Sequence, residues 1–477
     1  MSGFKGVKGG MICTSENVYA IVKAKMTRSG AEMSAIRAVL GLIWAALLCV
    51  PKVSGQVAPP KGLDFPMTQY RLKNGLNVVL SEDDSLPVVS VVVAYGAGPV
   101  RELPGKSGLA YLMENLMFQG SENVSPMQHI NYVQRIGGEF NANTSFDKTY
   151  FYETVPSNQL ALALWLESDR MASLAITGPN LERAKEALVA EHRQRRTSEP
   201  YMDSFFLFDS LLFPDFAYGH PLIGTEEDLK RIDEADVRAF ASAYYVPNNA
   251  VLCVAGNFAV EKTRELIAKY FETIPRGADV LPPPPPRTEP PADRERVVRD
   301  LLAPSPAFHL GFRVSRLQTG EARSLRILDI LLTQGKSSRL YKKLVKKERI
   351  ALYLIGGVEE RGGIPALRIF AISPNDVMAD LCKKAVAAEI GKLRTTLVSE
   401  AELAKAKVLF KGDYLDRMAR SLPRALFLCE SVLSGESLED IPEEFGRYLR
   451  VTPMMINGLA NRLFKPENAY SLDLRAK

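Results

Sequence analysis

The chain has 477 residues, 46% of them hydrophobic and 24% charged. These are the proportions of a folded protein long enough for two or three domains, far from those of a disordered chain. The formal net charge of +5 is confined to residues 1–55, where Lys5, Lys8, Lys23, Lys25, Arg28, Arg37 and Lys52 outweigh Glu16 and Glu32. The rest of the chain is balanced, which removes the electrostatic basis for a nucleic-acid partner.

Residues 38–50 (AVLGLIWAALLCV) form the one long apolar run. It is too short for a comfortable membrane span, and a single run excludes a polytopic membrane protein. Arg37 precedes it and the small-residue segment Val53-Ser54-Gly55 follows, the pattern of a secretory signal peptide with Met26 or Met33 as the true start. Residues 1–55 are therefore expected to be a leader, with no stable membrane span left after cleavage. Cys13 and Cys49 fall in the leader. Cys253, Cys382 and Cys429 are too widely spaced for a disulfide framework or a metal knuckle. An exported, disulfide-poor chain of this size is expected in a bacterial periplasm.

In the expected mature chain, residues 70–80 read as a hairpin about Asn74-Gly75, a type I′ turn signal. Val88–Tyr95 (VVSVVVAY) is a β-branched strand, and 148–155 alternates like another. Helices are expected at about 107–118, 126–136, 157–174, 179–197 and 235–246. A strand at Ala250–Gly256 and a helix at 260–273 follow. The Pro-rich segment 277–292 cannot join a sheet and tends to polyproline II, a semi-rigid spacer. Beyond it the pattern recurs: strand 307–314, helix Glu321–Leu332, helix 338–347, strands 351–359 and 366–372, then helices. This alternation predicts an α+β protein. Two domains, 57–276 and 293–477, are each expected to be a mainly antiparallel sheet packed with helices, joined by the linker 277–292. No strong residue-level repeat relates them.

The chemistry-bearing stretch is 108–121, GLAYLMENLMFQGS. Its framing residues Gly108, Ala110, Glu114, Met117, Phe118 and Gly120 resemble the signature of the pitrilysin/insulinase zinc peptidases, whose helix carries H-x-x-E-H. The resemblance extends to 137–144 (GGEFNANT), 188–191 (LVAE), 220–225 (HPLIGT) and 245–249 (YVPNN), and is looser in the second half. It implies two domains, each of the sheet-and-helix type of LuxS and the mitochondrial processing peptidases. It also implies a substrate-pairing edge strand at Asn141, Ala142, Asn143 and Thr144, a general base at Glu114 and a third zinc ligand at Glu191.

The two zinc-binding histidines of that signature fall at Tyr111 and Asn115. Histidines at i and i+4 share a helix face and would grip one ion. A tyrosine of pKa ~10 and a neutral amide are poor substitutes. The four histidines, His129, His192, His220 and His309, have no metal-ligand spacing to one another. Tyr111 and Asn115 are instead expected to hydrogen-bond to Glu114 and Glu191 in a polar network that replaces the ion. The Arg and Tyr that active members use on the substrate carbonyl align with Val345 and Leu352. Arg339 and Tyr341 lie nearby as weak substitutes.

The expectation is therefore a non-catalytic subunit with no cofactor and Glu114 as a vestigial base. It would bind peptide or an unfolded segment, or pair with an active homologous peptidase. Two alternatives stand beside it: an active zinc peptidase with atypical ligands, and a scaffold without peptide binding.

Overall fold

The computed structural model describes residues 66–287, 293–318 and 320–476. The leader 1–55 and the second part of the Pro-rich segment, from 288 to 292, lie outside the described residues. No helix among the described residues is long and apolar enough to cross a membrane.

Six strands form the first sheet: β1 (Thr68–Arg71), β2 (Asn77–Glu82), β3 (Val88–Tyr95), β4 (Glu139–Thr144), β5 (Thr149–Pro156) and β6 (Ala250–Gly256), in the order β1-β2-β6-β3-β5-β4. Every pair is antiparallel except β2 and β6. The second sheet contains β7 (Glu295–Arg299), β8 (Ala307–Arg313), β9 (Tyr353–Arg361), β10 (Ile364–Ile372) and β11 (Ala469–Arg475), in the order β7-β11-β8-β10-β9. Here only β7 and β11 run parallel. Among the described residues the first five α-helices are α1 (Leu109–Leu116), α2 (Gln128–Arg135), α3 (Leu160–Ser173), α4 (Gly178–Ser198) and α5 (Met202–Leu212). The result is a two-domain fold of mixed sheets packed with helices.

The near-continuous apolar reading of β3 has a tertiary cause. Val89, Val91 and Val93 pack with α1 and α3 on one face. Val92 and Ala94 pack on the other, in a core shared with Ala425, Leu428 and Cys429 of the helix Ser421–Leu433. A strand buried on both faces has no solvent side to alternate with. Ser90, in mid-strand, is satisfied by the hydroxyls of Thr154 (2.8 Å) and Ser421 (2.9 Å).

The exchange runs both ways across the Pro-rich segment. Phe208, Leu211 and Leu212 of α5 pack with Ala366, Phe370 and Leu472 of the second sheet, and Ser204 of α5 bonds buried His309 of β8 at 2.8 Å. Each sheet thus takes a covering helix from the other side of the linker.

The hairpin expected at 70–80 forms, with Arg71 opposite Asn77, but its loop is five residues long rather than a two-residue type I′ turn. Gly75 takes φ +94°, whereas Asn74 does not enter the left-handed region. Its amide is drawn instead to the carbonyls of Phe271 (2.8 Å) and Ile274 (3.0 Å), ending the helix Val260–Phe271. The three described cysteines, Cys253, Cys382 and Cys429, are free and buried.

Candidate functional site

Helix α1 starts where the chain turns through Gly108 at φ +89°. A Cβ there would lie 2.4 Å from the carbonyl oxygen of Ile223, and one at Gly224 (φ +76°) would lie 2.2 Å from that of Ser107. The two glycines let the loop 220–225 close onto the start of the helix. The Glu102 carboxylate then accepts from the backbone N–H of Gly108 (3.0 Å) and Ala110 (2.8 Å), satisfying donors that no helical carbonyl can reach. Leu109, Leu112, Met113 and Leu116 are buried in the core. That apolar stripe leaves Tyr111, Glu114 and Asn115 partly exposed on the remaining faces.

Helix α4 brings Glu191 to α1, and β4 brings Thr144. The Tyr111 hydroxyl donates to Glu191 Oε1 at 3.3 Å, and the Thr144 hydroxyl donates to Glu114 Oε2. The expected polar network therefore forms in part. Asn115 departs from it, because its amide donates back to the Tyr111 carbonyl at 3.1 Å, one turn earlier. The unexpected member is Arg195, which forms an ion pair with Glu191 from i+4 on the same helix. Burial, with Glu191 adding to it, pushes the Tyr111 phenol up to about 12. Burial also raises Glu114 above the usual carboxylate range, against the Thr144 hydrogen bonds.

These residues do not fit a zinc ion. Tyr111 holds its proton at neutral pH and Asn115 is turned to the backbone, so Glu191, itself paired with Arg195, is the one anionic donor of the three. Replacing Glu191 by Ala is accordingly expected to leave the zinc content of the purified chain unchanged, as read by elemental analysis. Loss of one zinc per chain in Glu191→Ala would overturn this.

The site opens on a cavity of about 520 Å³ lined by Tyr111, Glu114, Asn141, Ala142, Asn143 and Thr144, with Tyr152 and Arg195. β4 is an edge strand, so the backbone groups along its outer side are paired with no described strand, a geometry suited to adding an extended peptide. The N–H of Ala142 is held by the Asn141 side chain at 2.8 Å, and a pairing peptide would displace it.

The second half does not bring Val345 and Leu352 to this cavity. Val345 packs against the core, and Leu352 is 61% exposed on the approach to β9. Arg339 is also elsewhere, held by both oxygens of Glu402 at 2.7 and 2.6 Å. What β9 and α5 do supply is Glu359, Arg361 and Asp209. Arg361 is buried, forms ion pairs with Asp209 (2.8 Å) and Glu359 (2.5 Å), and stacks over Phe146 at 3.7 Å. Arg368 of β10 joins the same two carboxylates. Sequence reasoning misses these four charges because they meet only through long-range packing. Arg195 carries a usable signal, the i, i+4 pairing of opposite charges on one helix.

Residues 77–222 match the family model for insulinase (peptidase family M16), and residues 231–409 match that for the peptidase M16 inactive domain. The chain belongs to the insulinase family. It is 29% identical over 409 residues to the zinc protease PqqE of Helicobacter pylori (85% of this chain, 91% of that one). It is 24% identical over 415 residues to the uncharacterized zinc protease YmxG of Bacillus subtilis (85% and 97%). Among solved structures, the crystal structure of a protease from Helicobacter pylori superposes with a TM-score of 0.81 at 27% identity, covering 86% of this chain and 99% of that one.

Proposed function

We infer that this insulinase-family chain is a non-catalytic subunit that binds peptide, or an unfolded protein segment, along β4 and pairs with an active zinc-peptidase homologue. The observation that carries this reading is the Arg195 guanidinium on Glu191. The carboxylate that the family signature assigns to the metal already has its cation, with Tyr111 as its second partner. Glu114, the residue in the general-base position, is bonded by Thr144 and is a vestige of that role. The open edge of β4 supports peptide capture by strand addition. Export to a bacterial periplasm is part of the same reading and rests on the leader.

The test is co-expression with a homologue from the same genome that carries H-x-x-E-H, followed by co-purification and peptide-cleavage assays. The chain is expected to co-purify with the homologue, to show no cleavage alone, and to lower the KM of the pair. If the homologue is fully active alone and the two never associate, the subunit reading fails and the scaffold reading gains. A second reading, an active zinc peptidase with atypical ligands, draws on the name of the Helicobacter pylori relative and on the retention of Glu114 and Glu191. Cleavage by the purified chain that disappears in Glu114→Gln would establish that reading in place of the first.

A further inference from the structure

Beside Phe118, whose ring lies 6.3 Å from that of His129, is a second polar cluster that the family signature does not include. His129 of α2, Glu153 of β5 and Glu167 of α3 converge from three elements, with one ligand atom of each within 4.8 Å of the others. His129 is 6% exposed, Glu153 0% and Glu167 2%. His129 Nε2 lies 3.2 Å from Glu153 Oε2, while Glu153 Oε1 is buried with no hydrogen-bond partner. A fully buried carboxylate oxygen with nothing to accept from is rare in folded proteins, because its desolvation is uncompensated.

The charges do not balance either. Arg170 is the basic residue of the cluster. It forms an ion pair with Glu167, and its guanidinium lies over Phe151 at 4.5 Å and Phe118 at 5.3 Å. Against this one cation stand Glu153, Glu167 and the neighbouring buried Asp169, the last bonded by Ser121 and Asn123. Either a proton or a cation must make up the difference.

We propose that His129, Glu153 and Glu167 form a structural divalent-metal site, selective for zinc, that ties α2, β5 and α3 together. One imidazole nitrogen with two carboxylates is a zinc-type donor set, whereas magnesium and calcium favour oxygen alone. The unpartnered Glu153 oxygen supplies a free lone pair at the point where the three groups meet. Because the cluster is closed to solvent, the ion is taken up as the chain folds.

This proposal is independent of the zinc position at Tyr111, Asn115 and Glu191, and the experiment keeps the two apart. The mature chain is expressed in zinc-supplemented medium, dialysed against metal-free buffer and measured for zinc per chain. The thermal midpoint is then read with and without a chelator. Wild type and Glu191→Ala are expected to hold one zinc per chain and to lose thermal stability in chelator. Near-isosteric Glu153→Gln and His129→Gln should both weaken zinc binding by about a hundredfold or more, since loss of even an outer partner of a ligand costs ~10–100-fold. Cobalt(II)-loaded wild type should show the visible absorption of a low-coordinate site, and this readout stands even if a variant fails to fold. A wild-type chain without zinc after this treatment overturns the proposal. So does zinc that survives in both Glu153→Gln and His129→Gln, or zinc that is lost in Glu191→Ala.

Discussion

Tyr111→His, Asn115→His and Arg195→Ala, introduced together, yield a chain that takes up one more zinc ion than its parent. The two histidines stand at i and i+4 on α1, and Glu191 of α4 is already within hydrogen-bond reach of position 111, so all three ligands of the family signature are then present. Arg195 must go because its guanidinium sits on the carboxylate that has to turn to the metal. Two unit charges ~4 Å apart at an effective dielectric of ~20 repel by about 4 kcal/mol, and a divalent ion doubles that. The figure shrinks here because both side chains of the pair are about a third exposed. With only the two histidines installed, binding is expected to be weaker than in the triple variant by about tenfold, equivalent to ~1.4 kcal/mol. Competition against a chromophoric chelator measures both. A folded triple variant with no additional zinc would show that Glu191 is not in the third-ligand position. Peptide hydrolysis is not expected to return, since Val345 and Leu352 stay outside the cavity and supply no carbonyl-binding pair.

Arg361→Met destabilises the fold by about 3–5 kcal/mol at neutral pH, the range for breaking one side of a buried ion network. Arg361 shares Asp209 and Glu359 with Arg368, and the variant leaves two carboxylates in a low-dielectric wall with one guanidinium between them. Burial alone would raise the Glu359 carboxyl, but Arg361 and Arg368 outweigh it and hold the group below its usual value. A depressed carboxylate contributes stability above its unfolded pKa and loses it as pH falls through the folded value. In Arg361→Met the burial effect gains, so Glu359 protonates at higher pH and the deficit narrows as pH drops through the carboxylate range. Urea midpoints for wild type and variant at neutral and mildly acidic pH test this. A deficit under about 1 kcal/mol at neutral pH would mean that the network behaves like surface pairs. Combining Arg361→Met with Glu359→Gln should recover part of the loss, because the stranded charge is then gone.

The local features of this chain are legible in its amino-acid order. Val88–Tyr95, Ala250–Gly256 and Glu321–Leu332 form with the bounds that their composition implies. The apolar stripe of α1 is visible in the spacing of Leu109, Leu112, Met113 and Leu116. β7 and β11 carry no comparable signal. β7 (ERVVR) is a largely exposed edge strand without a buried face to impose alternation, and β11 pairs with β8, a strand far earlier in the chain. The Asn74-Gly75 signal places the hairpin correctly but not its turn type, because a distant helix end recruits the Asn74 amide.

By itself the sequence determined the family, through the segment 108–121, because a signature helix is read from neighbours within one or two turns; that Tyr111 and Asn115 stand where the family carries its histidines is what that resemblance implies. The same resemblance singles out Glu114, Glu191 and the segment 141–144. Tertiary structure alone decided that Arg195 closes on Glu191, that Asn115 turns back to the Tyr111 carbonyl, and that Glu359 and Arg361 line the cavity in place of Val345 and Leu352. It alone brought His129, Glu153 and Glu167 together across 38 residues of chain. Periodicity and spacing report which face a side chain takes on its own element. Which charges share a buried space depends on how elements far apart in the chain pack, and there the energy of an unpaired buried group decides the partner.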